Sequence, residues 1–111
     1  MTPEKKIQNE IINYFKEYKN IYVERRQAMG IAYRKGSADI FVVIEGFHIE
    51  IEIKAENGEP SSLQLKWEDR CKNLWHIPYF RVKSLKEIKE IMERLFPHIF
   101  KIWFLFKLKK Y

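Results

Sequence analysis

Three residues of this chain, Asp39, Glu52 and Lys54, have the types and spacing for hydrolytic chemistry. They lie in two β-branched and aromatic runs, Ala38 to Ile44 and Phe47 to Lys54, separated by Glu45-Gly46, the short spacing of a hairpin. Alternation divides these runs into two faces. Ile40, Val42, Ile44, Ile49, Ile51 and Ile53 form a uniformly apolar face that must be core. The other face carries Asp39, Phe41, Val43, His48, Glu50, Glu52 and Lys54. With a two-residue loop, Ile44 pairs with Phe47, and counting outward sets Asp39 opposite Glu52. Like charges in that relation cost a sheet about 0.2–1 kcal/mol, so a cation belongs between them. A hard divalent ion such as Mg²⁺ or Mn²⁺ takes oxygen ligands and is commonly held by one or two carboxylates plus a substrate phosphate. Lys54, two residues beyond Glu52 on the same face, can reach an attacking water and a phosphate oxygen. These are the parts of phosphodiester hydrolysis. The plainer alternative is a pair of solvated strand-edge acids with Lys54 as their salt-bridge partner.

The elements that must position this set follow from local signals. Thr2 is an N-cap and Pro3 suits the first helical position, and Ile7, Ile11, Phe15 and Tyr18 recur at helical spacing, so residues 3 to 19 read as a helix. At 100° per residue Glu4 falls within about 30° of the centre of that apolar stripe, whereas Glu10 is about 100° away. Glu4 therefore points inward, which the positive end of the helix dipole explains as well as a nearby cation site does. Ile21-Tyr22-Val23 reads as a short strand. Arg25, Arg26, Gln27, Gly30, Arg34, Lys35 and Gly36 read as a basic connection that either contacts phosphates or is an ordinary solvated loop. After the hairpin, Ala55 to Pro60 carries turn residues. Ser61 or Ser62 caps a helix with apolar positions Leu63, Trp67, Cys71 and Leu74. Tyr79 to Lys83 is a further strand. Ser84 with Glu87 opens a last helix with Leu85, Ile88, Ile91, Met92 and Leu95 on its apolar face, stopped by Pro97. An α/β architecture around a mixed sheet accommodates this order.

The bulk properties narrow the partners. At 111 residues the chain has the length of one domain, and 46% hydrophobic and 15% aromatic residues supply a packed core. A net charge of +6 and a pI near 9.4 point toward polyanions. A single cysteine, Cys71, excludes an internal disulfide framework and a cysteine-based zinc site. No run approaches the roughly 20 apolar residues of a membrane span, so the expectation is a soluble, cytoplasmic protein with no membrane partner and no small-molecule cofactor.

In order along the chain, Glu4-Lys-Lys-Ile-Gln8, Gly36-Ser-Ala-Asp39, Ile51-Glu52-Ile53-Lys54, and Gln64 followed by Trp67 resemble the VRR-NUC family, virus-type replication-repair nucleases of the PD-(D/E)XK superfamily. The resemblance implies a restriction-endonuclease-like αβββαβ core with a mixed sheet flanked by helices. It implies that Asp39, Glu52 and the Ile53 carbonyl ligate Mg²⁺ or Mn²⁺, that Lys54 assists the attacking water, and that Glu4 and Gln64 lie near the active site. Stand-alone members resemble Holliday junction resolvases and work as homodimers. The function so implied is metal-dependent DNA hydrolysis, with branched or structured DNA as substrate. The alternatives are a restriction-like or flap nuclease on other DNA, and a non-catalytic DNA-binding module of the same fold. A protein-interaction domain is disfavoured by the charge and by the inward Glu4.

Two further expectations concern the periphery. Arg25, Arg26, Arg34 and Lys35 are the candidate DNA contacts, His48 is read as surface, and Glu50 as facing solvent or a basic neighbour, with a supporting role at the site as the alternative. Residues 1–97 form the nuclease-like domain, and 98–111 an apolar and basic extension that adds an edge strand or packs at a dimer interface.

Overall fold

The computed structural model describes residues 1–27, 34–55 and 57–101. Helix α1 spans Pro3–Lys16, with Pro3 in the first turn and the Thr2 hydroxyl accepting from Lys5 N–H at 3.2 Å. It ends short of the expected residue 19, because Tyr18 N–H turns back to the Phe15 carbonyl and the chain enters strand β1, Ile21–Arg25. That strand is longer than Ile21-Tyr22-Val23 suggested. Ladder pairing with strand β2, Ile40–Ile44, extends it to Arg25 opposite Ile40.

Strand β3, Phe47–Ile53, completes the hairpin in the expected register, Ile44 opposite Phe47 and Ile40 opposite Ile51. The turn is fixed by positive φ at both Glu45 (50°) and Gly46 (85°), the backbone twist that suits a two-residue hairpin loop. Helix α2, Ser62–Asp69, runs on into a single π-helical turn, Arg70–Leu74. Strand β4, Tyr79–Val82, then lies parallel to β3, and helix α3, Leu85–Leu95, follows. Among the described residues the sheet is four-stranded, ordered β1-β2-β3-β4, antiparallel except at its last pair. The expected αβββαβ order and mixed sheet are present.

The two faces of the sheet divide the labour. Ile40, Val42, Ile44, Ile49, Ile51 and Ile53 are fully or almost fully buried against Ile11, Ile12 and Phe15 of α1 and Ile88 and Met92 of α3. That sandwich is the core, and burying such side chains stabilises it by about 1.5–3 kcal/mol each. The opposite face is covered by α2, where Trp67 and Cys71 pack with Ala38 and Tyr79. Cys71 is free and buried, and burial pushes its thiol up to about 11. No helix among the described residues is long and apolar enough to cross a membrane.

At the C-terminal end, residues 97–101 are helical and not extended. Phe100 is buried, stacked on Tyr14 at 5.8 Å and edge-on to Tyr18 at 4.9 Å. The start of the apolar extension thus belongs to the core against α1. The remainder of the expected edge strand or interface, 102–111, lies outside the described residues.

Candidate active site

Asp39 stands immediately before β2, where the hairpin register carries it opposite Glu52. The two acids are tied crosswise through the backbone. Asp39 N–H donates to Glu52 Oε1 at 3.1 Å, and Ile53 N–H donates to Asp39 Oδ2 at 2.9 Å. Glu52 is 1% exposed, and its other oxygen accepts from Gln64 Nε2 at 2.7 Å. Lys54 Nζ lies 3.9 Å from that same oxygen, with its side chain largely buried.

Two carboxyls this close and this buried cannot both carry charge comfortably. Burial, then repulsion from Asp39, pushes Glu52 from an ordinary value of 4.5 up to about 8. Burial also raises Asp39, against hydrogen bonds that lower it. The pair titrates as a unit. Glu50, two residues back on the same face, behaves oppositely: burial pushes it up, but hydrogen bonds from Arg26 and His48 outweigh burial and hold it below the usual carboxylate range.

The supporting residues come from three elements. Glu4, in the first turn of α1, accepts from Ala55 N–H at 3.2 Å and so fixes the chain just past Lys54. Gln64 sits at the third position of α2 in a capping box. Its Oε1 accepts from Ser61 N–H at 2.8 Å, the Ser61 hydroxyl accepts from Gln64 N–H, and its amide nitrogen is left for Glu52. Gly36, in the turn leading to Asp39, has φ +91°, and a Cβ there would meet Leu63 Cβ at 2.7 Å. Only glycine lets that turn press against the start of α2.

A central hairpin and a following parallel strand, with acids at one end and helices on both faces, invite comparison with known folds. Neither a family model nor a curated protein matches the chain. A solved structure described as a VRR_NUC domain superimposes with a TM-score of 0.68 at 24% sequence identity, over 84% of this chain and 97% of its own. The fold is that of a VRR_NUC domain.

Within this VRR_NUC fold, Asp39, Glu52, Lys54, Gln64 and Glu4 converge on one end of β3. The four basic residues do not act together. Arg34 and Lys35 are exposed, whereas the Arg25 guanidinium bonds Asn9 and the Arg26 guanidinium forks onto Glu50. The basic neighbour expected for Glu50 is Arg26, but the burial of Glu50 was not foreseen. It is buried under α2, accepting from Arg26 Nη2 at 2.9 Å and Trp67 Nε1 at 2.8 Å, with His48 Nε2 against its second oxygen. The available signal was that Gln64 and Trp67, three residues apart, share a helix face. A helix whose Gln64 reaches Glu52 must also lay Trp67 over Glu50.

The donor set fits a hard cation. Among the described residues no group of three or more His, Cys, Asp or Glu side chains is arranged around a metal position. Asp39 and Glu52 instead offer two oxygen-bearing side chains whose mutual repulsion a divalent ion relieves, leaving positions for water and phosphate.

Proposed function

We propose that this chain is a divalent-metal-dependent endonuclease hydrolysing DNA phosphodiester bonds, with Asp39, Glu52 and the Ile53 carbonyl as protein ligands of Mg²⁺ or Mn²⁺. The observation that carries this reading is the buried Asp39–Glu52 pair with Lys54 beside it, in a chain with the fold of a VRR_NUC domain. A bound divalent cation supplies the charge that polarises the phosphoryl group and acidifies the attacking water. Asp39 and Glu52 are held for that ligation by Ile53 N–H, Asp39 N–H and Gln64. The Lys54 ammonium orients the water and offsets the negative charge that grows on the phosphoryl oxygens. Glu4 keeps Lys54 in place through Ala55 N–H. Exposed Arg34 and Lys35 grip the phosphate backbone beside the site, whereas the Arg25 and Arg26 guanidinium groups are taken by Asn9 and Glu50.

Branched or structured DNA is the proposed substrate, cut by a homodimer whose two sites address two strands. The resemblance to stand-alone resolvase-like domains supports this, and so does an apolar pocket lined by Phe47, Ile49, Pro78, Leu95 and Phe96, with Phe47 and Leu95 exposed at its rim. Cleavage of a DNA panel in Mn²⁺ tests the reading. Four-way junctions are expected to be cut faster than flaps or linear duplex. Equal rates on plain duplex would support the restriction-like alternative, and binding without cleavage would support a non-catalytic module.

A further inference from the structure

Beside the proposed cation ligands lies a second buried acid that phosphodiester hydrolysis does not use. Glu50 is 1% exposed, and its two oxygens are taken by the Arg26 fork, by Trp67 Nε1 and by His48. The Arg26 guanidinium also lies over two rings, 4.9 Å from the Phe41 centroid and 5.3 Å from that of Trp67. An Arg side chain that is 12% exposed, bidentate on a carboxylate and packed against two rings is poorly placed to reach a phosphate.

What Arg26 does reach is backbone. Its own N–H donates to the Asp39 carbonyl at 2.9 Å, and Nη1 lies 3.5 Å from the Ala38 carbonyl. One residue thus grips the segment bearing Asp39, while its side chain is locked to Glu50 on the strand bearing Glu52, two residues along and on the same face. Trp67, one turn beyond Gln64, locks the same strand to α2, whose Gln64 holds Glu52.

Resting on the reading of Asp39 and Glu52 as cation ligands, we propose that the Arg26–Glu50 pair, packed against Phe41 and Trp67, is a positioning device that sets the relation of the two ligands and hence the affinity of the site for its cation. Arg26, Glu50 and Trp67 are positioning residues. Neighbours that orient metal ligands typically change metal affinity by about 10–100-fold when altered.

Calorimetric titration of Mn²⁺ into metal-free protein, paired with thermal melting, tests this without requiring turnover. Arg26→Lys keeps every charge and loses the fork. Trp67→Phe keeps the ion pair and removes one donor. The expected result is an Mn²⁺ dissociation constant raised about tenfold for Arg26→Lys, and a smaller rise in the same direction for Trp67→Phe, in proteins that still melt cooperatively. A lower melting temperature with unchanged Mn²⁺ affinity in the folded variants would make the cluster merely structural and overturn the proposal. Should Arg26→Lys fail to fold, Trp67→Phe decides alone by the same criterion. A wild-type chain that takes up no Mn²⁺ removes the cation reading, and this inference with it; Mn²⁺ uptake by wild type that neither variant alters removes this inference only.

Discussion

Glu52 is the residue on which the proposed chemistry turns, because its surroundings make its charge costly in the absence of a cation. Its folded value of about 8 stands above the ordinary 4.5, so between these the folded, metal-free chain holds a proton that the unfolded chain has released. This contribution to stability is complete below about pH 4.5 and is lost as pH rises through about 8. Metal-free melts should therefore show the wild-type melting temperature falling across that window, and Glu52→Gln should flatten the decline. A parallel decline in Glu52→Gln would refute the assignment. Lys54 belongs to a different step. Lys54→Met should lower kcat by about 100-fold or more while Mn²⁺ still binds, as single-turnover cleavage and calorimetry would separate. The juxtaposition of Asp39, Glu52 and Lys54 was legible in the sequence, since strand alternation and a two-residue turn suffice to bring Asp39 opposite Glu52. The basic neighbour of Glu50 was foreseen and its burial was not, because alternation assigns a face and cannot say whether a helix covers it.

At the scale of elements, the hairpin and α2 do the positioning, and each depends on a local backbone feature. The register of β2 on β3 was readable from Glu45-Gly46, and both residues adopt the positive φ that such a loop needs. The extents of α1 and β1 were not readable. Tyr18 continues the helical period in sequence, yet the turn into β1 ends the helix first, and Arg25 enters a strand only through its pairing with Ile40. The turn at Gly36 couples the two positioning elements, pressing the approach to Asp39 against Leu63 of α2. Gly36→Ala forces a side chain into the left-handed region and into Leu63, and should destabilise the fold by about 1–3 kcal/mol, read from denaturant melts. Gln64 closes the same coupling from the other side, with one end of its amide capping α2 and the other on Glu52.

The whole molecule separates its main core from the candidate site by sheet face. The isoleucine-rich face between α1 and α3 was legible as core, because nothing polar interrupts it in β2 or β3. How the apolar extension begins was not legible: Ile99-Phe100-Lys101 has strand-like composition, yet the helical turn at 97–101 lets Phe100 dock on the Tyr14 and Tyr18 rings. Assembly belongs to this scale as well. Sedimentation equilibrium should return twice the chain's 13.6 kDa, and Phe47→Glu at the rim of the apolar pocket should shift the mass toward the monomer. A wild-type monomer would remove the two-site cutting scheme while leaving single-strand cleavage intact. The measurement that bears most directly on the account is Mn²⁺-dependent cleavage of a labelled four-way DNA junction by wild-type protein and by Asp39→Asn, which preserves an acceptor for Ile53 N–H. Cutting by wild type that stops with chelator and is lost in Asp39→Asn is the expected result. Cutting by Asp39→Asn at the wild-type rate, or none by folded wild type on any DNA, would contradict it.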